Sequence, residues 1–268
     1  MEFPEFIKPV AFEFWIIKVH WYGIMYLLGF AVAWWLGVRR TALAHSPVRK
    51  AQIEDILFYC VIGVVVGGRL GHVFFYSFDD WLKDPLWPIK VWEGGMSFHG
   101  GILGVCAAMW LYARNNKIPF LSLMDFVTPS VPIALGLGRI GNFIGQELWG
   151  RVTTLSWGMH FPKASDPAGV LRHPSQLYEA MLEGFLMFIV IYWFARKPRP
   201  MGAVCSLFVF LYGCARFGVE FTREPDQGVA LLFGWLSRGQ LLSTPMILIG
   251  LGVFIWSYSK GSKRRGRF

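Results

Sequence analysis

Gly138-Arg139-Ile140-Gly141-Asn142-Phe143-Ile144-Gly145-Gln146-Glu147-Leu148-Trp149-Gly150-Arg151 sets two arginines, an asparagine, a glutamine and a glutamate among four glycines. The stretch closes a mostly apolar run. A charge at mid-bilayer costs at least about 2.5–3.5 kcal/mol on insertion scales, so such groups mark a site. Arg139, Asn142 and Arg151 on a glycine-rich, unwound helix end suit a phosphate, held by backbone N–H groups and bidentate guanidinium. Backbone of that kind is tolerated at membrane depth where it lines a cavity.

Two further segments carry chemistry. Gly94-Gly95-Met96-Ser97-Phe98-His99-Gly100-Gly101 places His99 between paired glycines, which let backbone approach a ligand or another helix. A histidine there serves as a general base or phosphate donor, or is simply a satisfied interfacial residue. His173-Pro174-Ser175-Gln176-Leu177-Tyr178-Glu179 reads as a helix start, with Pro174 and Ser175 in the first turn and Glu179 near the positive dipole end. A structural cap and a site role explain it equally well. Ser97 lies in no GxSxG elbow. The six histidines show no HxxxH or HExxH spacing, so no metal site is expected. Cys60, Cys106, Cys205 and Cys214 sit inside apolar runs without CxxC spacing and read as packing residues.

The elements that position these residues must be membrane helices. The chain is 54% hydrophobic and 16% charged, with mean hydropathy +0.44. A soluble protein carries about 25% charged residues. The net charge of +9 does not indicate nucleic acid, because the basic residues fall in short loops between apolar runs. Met1-Glu2-Phe3-Pro4-Glu5 has no basic n-region and no cleavage site follows the first run, so no cleaved signal peptide is expected. A span needs roughly 20 mainly apolar residues, and about seven segments come close: 16–38, 56–78, 97–113, 126–144, 176–195, 201–221 and 240–258. The third is short, and Pro129 and Pro132 interrupt the fourth. The expected fold is an all-α integral membrane protein. It is a single polytopic domain over residues 1–268, with a small irregular non-spanning segment at about 145–175, too short for a core of its own. Gly63, Gly67 and Gly71, with Gly100/Gly104 and Gly141/Gly145, are GxxxG steps and read as helix-packing seams.

Lys/Arg bias sets orientation. One set of connections holds Arg39, Arg40, Arg49 and Lys50; Arg114 and Lys117; Arg196, Lys197 and Arg199; and Lys260, Lys263, Arg264, Arg265 and Arg267. This set should be cytoplasmic, leaving the N-terminus outside and the C-terminus inside. His20, Tyr22, Arg69, His72, His99, Arg139, Asn142, Glu147, Arg151, His173, Tyr178, Arg216, Glu220, Arg223 and Arg238 then fall on the outer side. Singly, each is more readily a snorkelling or belt residue. Together, on the face with few loop cations, they describe one polar, cationic cavity for an anionic ligand.

Along essentially its whole length the chain resembles bacterial prolipoprotein diacylglyceryl transferase. The resemblance rests on His20-Trp21-Tyr22-Gly23, Gly67-Gly68-Arg69, Gly94 to Gly101, Gly138 to Arg151, His173 to Glu179, Arg196 to Gly202, and Arg216 to Asp226. There is one departure: the family signature has Asn-x-Glu where this chain has Gly145-Gln146-Glu147. Gln146 is the candidate to supply the missing amide from one position later.

The resemblance implies a seven-spanning protein of the bacterial inner membrane with its site open to the periplasm. It implies transfer of the diacylglyceryl group of phosphatidylglycerol to the lipobox cysteine of preprolipoproteins, with glycerol phosphate leaving and no cofactor required. On that reading Arg139 and Arg216 take the phosphate, and His99 is the candidate base or thiol orienter. Tyr22, Asn142, Glu147, Gly150, Tyr212 and Arg223 bind substrate, with Glu147 alternatively orienting an arginine. A transporter or binding protein for an anionic solute or lipid would also want such a cavity. A transporter should show internal repeats and polar residues through the membrane, and no convincing repeat is visible.

Overall fold

The computed structural model describes all residues except 5, 16, 91–93, 225–235 and 266–268, together with the side chains of 17 and 260–265. Asp226 and Arg267 therefore lie outside the described residues, as do the side chains of Lys260, Lys263, Arg264 and Arg265.

The chain is mostly helical rather than all-helical. A hairpin of β1 (Val10–Phe14) and β2 (Ile17–His20) precedes α1 (Trp21–Arg40). The first expected span thus starts at Trp21. Strand-like alternation of Phe12, Phe14 and Val19 with Glu13 and Lys18 opposes helix in the residues before it. The other helices are α2 (Ile53–Tyr76), α3 (Phe78–Lys83), α4 (Phe98–Asn115), α5 (Phe120–Val127), α6 (Val131–Gly145), α7 (Ser175–Glu179), α8 (Met187–Phe194), α9 (Ala203–Val219) and α10 (Arg238–Arg265). Pro129 and Pro132 do not end the fourth apolar run. Pro129 lies in the 3-10 turn Thr128–Ser130, and Pro132 enters the first turn of α6, where its missing N–H has no helical partner to lose. A π-helical stretch, Ala180–Leu186, joins α7 to α8.

Among the described residues, five helical stretches are long and apolar enough to cross a membrane: Trp21–Arg40, Lys50–Tyr76, Phe120–Gly145, Ser175–Phe194 and Arg238–Ser259. Ala203–Val219 is apolar but shorter. The helix at the third expected span, α4, is not among the five; it carries His99 and two glycines in its first turn and Arg114 and Asn115 in its last. Leu27, Phe58 and Leu248 are 71%, 63% and 66% exposed. Faces so apolar suit lipid rather than water.

The contacts divide the chain into two compact units, Met1–Leu36 with Val127–Phe268, and Gly37–Phe126. In the second unit α2 and α4 meet along the predicted glycine seam. A Cβ at Gly63 would stand 2.8 Å from Gly104 O, and one at Gly71 would stand 2.6 Å from Gly100 Cα. Gly67→Leu is expected to lower the thermal unfolding midpoint sharply, since overpacking alone costs about 1–3 kcal/mol. Gly101→Leu is the control: its Cβ would meet only Val64 O at 3.8 Å. Equal midpoints for the two variants in detergent would refute the seam.

In the first unit, Gly136 on α6 faces Gly184 of the π-helical stretch, where a Cβ would stand 2.6 Å from Gly136 Cα. Met187, Ile191, Ala195, Val204 and Tyr212 form a core between α8 and α9. The 145–175 segment, expected to lack a core, shares a small one: Phe3, Phe143 and Phe161 are buried together, with Trp149 and Met159 against them.

Candidate active site

Three arginines and three glutamates meet inside the first unit. Arg139 comes from α6, Glu179 from the end of α7, and Glu183 from the π-helical turn that follows. Arg216 lies in the last turn of α9, with Glu220 and Arg223 just beyond. Glu179 is fully buried and gathers all three guanidinium groups: Arg139 Nε at 3.1 Å, Arg216 Nη1 at 2.8 Å and Arg223 Nη1 at 2.7 Å. Arg139 Nη2 reaches Glu183 at 3.5 Å. Glu220 takes Arg216 Nη2 at 3.0 Å and Arg223 Nε at 3.6 Å, and accepts from Ser237 Oγ at 3.0 Å. π-helical turns occur frequently at functional sites. Here the turn carries the Glu179–Glu183 pair to a single arginine.

The arrangement has zero formal charge, three cations against three carboxylates. The expected polar, cationic set thus carries as many buried carboxylates as guanidinium groups in this cluster. Burying guanidinium groups without counter-ions would cost several kcal/mol each. Each guanidinium nevertheless spends only two nitrogens on carboxylates. Among the described residues, Arg139 Nη1, Arg216 Nε and Arg223 Nη2 have no such partner. The three side chains remain 16%, 17% and 11% exposed, so an anion can reach them. Their carboxylate partners hold the forks in fixed planes. That is the preorganisation that stabilises developing negative charge.

Tyr212 lies one turn before Arg216 on α9 and is 7% exposed. Asn142 follows Arg139 by one turn and is 8% exposed; among the described residues its side-chain amide has no hydrogen-bond partner. Tyr22, which opens α1, packs on the same stretch: a Cβ at Gly141 would stand 2.9 Å from its Cδ2. The Gly141 step thus serves close approach of α1 to α6.

The family model for prolipoprotein diacylglyceryl transferase matches residues 9–256. The phosphatidylglycerol–prolipoprotein diacylglyceryl transferase of Teredinibacter turnerae is 58% identical over 96% of this chain and 93% of its own. Those of Vibrio cholerae and Azotobacter vinelandii are 51% and 50% identical, covering 97% and 98% of this chain and 95% and 98% of their own. The chain belongs to the prolipoprotein diacylglyceryl transferase family.

Within this member of the family, the remaining expected site residues have distinct settings. His99 is exposed in the first turn of α4, in the second unit, with its ring 5.8 Å from that of Phe98. The loop before it hangs on Arg69, which is 3% exposed. Arg69 donates to the carbonyls of Trp87, Pro88, Lys90, Gly94 and Gly95, and stacks 4.0 Å from the Trp87 ring. Its donors serve the loop, so Arg69 is a scaffold residue rather than a phosphate ligand.

Glu147 is exposed and, among the described residues, forms no ion pair; the carboxylates that orient arginines are Glu179, Glu183 and Glu220. Gln146 caps α6 in the left-handed region, φ 51°, and its Oε1 accepts from Lys163 N at 3.2 Å. Its amide oxygen is therefore committed to the 162–164 turn. Gly150 is buried, and a Cβ there would stand 2.7 Å from His173 Cβ and His173 O. Trp157 Nε1 donates to Tyr178 Oη at 2.9 Å, and that hydroxyl sits 3.2 Å from His173 Nδ1. Partial burial draws the His173 pKa below its ordinary value.

Glu183 carries no site role in the sequence reading, whereas the segment that ends at Glu179 suits a helix cap and a site equally well. The signal for Glu183 was its isolation in Met181-Leu182-Glu183-Gly184-Phe185-Leu186, a carboxylate inside an apolar run.

Proposed function

We propose that the chain transfers the diacylglyceryl group of phosphatidylglycerol to the cysteine thiol of a lipobox in preprolipoproteins, as the names of its relatives describe for phosphatidylglycerol and prolipoprotein. It is a multi-pass membrane transferase. The observation that carries the site assignment is the trio Arg139, Arg216 and Arg223, each oriented by glutamates and each keeping a nitrogen free of them.

The reaction forms a carbon–sulfur bond at a saturated glycerol carbon and breaks the carbon–oxygen bond to phosphate. The thiol proton is lost and glycerol phosphate leaves. Negative charge grows on the departing phosphate, and guanidinium donors stabilise it there. Arg139 and Arg216 take this phosphate; Arg223, Asn142, Tyr22, Tyr212, Glu147 and Gly150 form the headgroup side. A free thiol has a pKa near 8.5, so a base raises its reactive fraction at neutral pH. His99 is assigned that base role on residue type and family position. Seven spans are read from the apolar segments, a periplasmic N-terminus and cytoplasmic C-terminus from the Lys/Arg bias, and residence in the bacterial inner membrane from the family resemblance.

Purified protein, phosphatidylglycerol vesicles and a lipobox peptide should yield a peptide adduct heavier by one diacylglyceryl group, with stoichiometric glycerol phosphate. Tight phosphatidylglycerol binding with no adduct would favour a lipid-binding protein instead. His99→Gln should lower the rate about 10²–10⁴-fold, the usual contribution of a general base. Retention of most of the rate would remove His99 from the chemistry.

A further inference from the structure

Arg139 and Arg216 lie on helices, which hold their main chains rigidly. Arg223 does not: α9 ends at Val219, and Arg223 sits four residues beyond it. Its main chain is held instead by a small β-type clasp. Gly150 N donates to His173 O at 2.9 Å, and His173 N to Arg151 O at 2.9 Å. On the other side, Arg151 N donates to Thr222 O at 2.9 Å, and Gly150 bridges Arg223 in antiparallel fashion. The middle strand is wedged so tightly that a Cβ at Gly150 would collide with Thr222 O. Arg151 Nε then closes on Arg223 O at 2.7 Å.

One side chain ties the clasp together. Arg172 grips Asp166 with two nitrogens, Nε to Oδ2 at 2.5 Å and Nη2 to Oδ1 at 2.9 Å. Its Nη1 donates to Gly150 O at 3.1 Å and to Glu224 Oε2 at 3.0 Å. Arg172 thereby links the 162–166 turn, the middle strand, and the residue next to Arg223. Both members of its main ion pair are largely buried, with side chains 12% and 13% exposed. The pair holds the Asp166 carboxyl below the usual carboxylate range, with a smaller contribution from His160, so it stays charged at neutral pH.

We infer that Arg172 is a positioning residue for substrate binding: latched on Asp166, it fixes the Gly150–Arg223 bridge and so sets the Arg223 guanidinium on Glu179. The inference rests on the proposed role of Arg223 in holding the phosphatidylglycerol headgroup. A lysine keeps the charge but offers a single nitrogen, which cannot serve Asp166, Gly150 O and Glu224 together.

Arg172→Lys should therefore raise KM for phosphatidylglycerol about tenfold while leaving kcat within about twofold, the pattern of lost uniform binding. Hydrogen exchange at the Arg151 amide, held by Thr222 O, should quicken by about tenfold as the clasp opens more often. Asp166→Asn should give a weaker form of both effects and serves if Arg172→Lys folds poorly. In an Arg223→Gln background, Arg172→Lys should leave KM unchanged. An unaltered KM with only a lowered unfolding midpoint would overturn the inference, as would an equal rise in KM with and without Arg223. Should Arg223→Gln alone leave KM unchanged, the headgroup role of Arg223 fails. The exchange rate at Arg151 then judges the latch separately, and unchanged exchange overturns it.

Discussion

Arg139→Ala is expected to reduce diacylglyceryl transfer about 10²–10³-fold, the scale of removing one preorganised donor from a developing anion. Membrane insertion should survive, because α6 keeps its packing through Gly136 and Gly141, but the unfolding midpoint should fall by several degrees, because among the described residues Arg139 is the ion-pair partner of the buried Glu183. The loss should be large because Arg139 has two tasks. Its Nε and Nη2 bind Glu179 and Glu183, and Nη1, which has no carboxylate partner, is the nitrogen proposed to meet the phosphate. Arg139→Lys separates charge from geometry. A lysine ammonium has one nitrogen and cannot span both glutamates while also meeting substrate. It should remain at least about tenfold below the parent, since planar, multi-point recognition is what lysine loses. Mass spectrometry of the peptide adduct, beside a count of inserted protein, measures both variants. Near-parental turnover by Arg139→Ala would remove it from the site.

Arg139, Arg216 and Arg223 were legible in the sequence for one reason: each is a guanidinium at or just past the end of an apolar run. The glycine seam was legible because Gly63, Gly67, Gly71, Gly100 and Gly104 repeat with a four-residue step on two helices. The hairpin before α1 was hidden because Ile16, Ile17 and Val19 join the apolar count of the span behind them. The π-helical stretch left no local trace: Ala180–Leu186 reads as an ordinary apolar helix. Its glutamates show their role only once α6 and α9 bring arginines to them. Arg69 illustrates the converse. Its sequence context suggested an anion ligand, and its folded context supplies carbonyl acceptors instead.

Those carbonyl acceptors show that a buried arginine at the end of a span is not evidence of phosphate binding by itself. What separates Arg69 from Arg139 is donor accounting. Arg69 satisfies its guanidinium on main-chain oxygens and is 3% exposed, whereas Arg139 keeps a nitrogen off its carboxylates and is 16% exposed. The same accounting makes Glu179 the centre of the site. It receives three arginines on two oxygens and is wholly buried, so no water can replace it.

Glu179→Gln should therefore be more damaging than Glu220→Gln, although each removes one carboxylate from the same network. With Glu179 neutral, three guanidinium groups face only Glu183 and Glu220, leaving a net positive charge in a site of low polarity. Removing one partner from a buried ion pair typically costs about 3–5 kcal/mol, so the unfolding midpoint should fall by several degrees. Glu220→Gln should cost less, because Ser237 Oγ still donates there and Arg216 keeps its bond to Glu179.

The kinetic signature is more telling than the stability loss. Freed arginines can still attract an anionic headgroup, so KM for phosphatidylglycerol should not rise. They no longer sit in the planes that meet the departing phosphate, so kcat should fall about 10²-fold. A variant that binds the lipid at least as well but transfers poorly would show that the glutamates convert attraction into catalysis. The opposite split, a raised KM with normal kcat, would reduce Glu179 to a structural counter-ion and return the catalytic burden to the arginines alone.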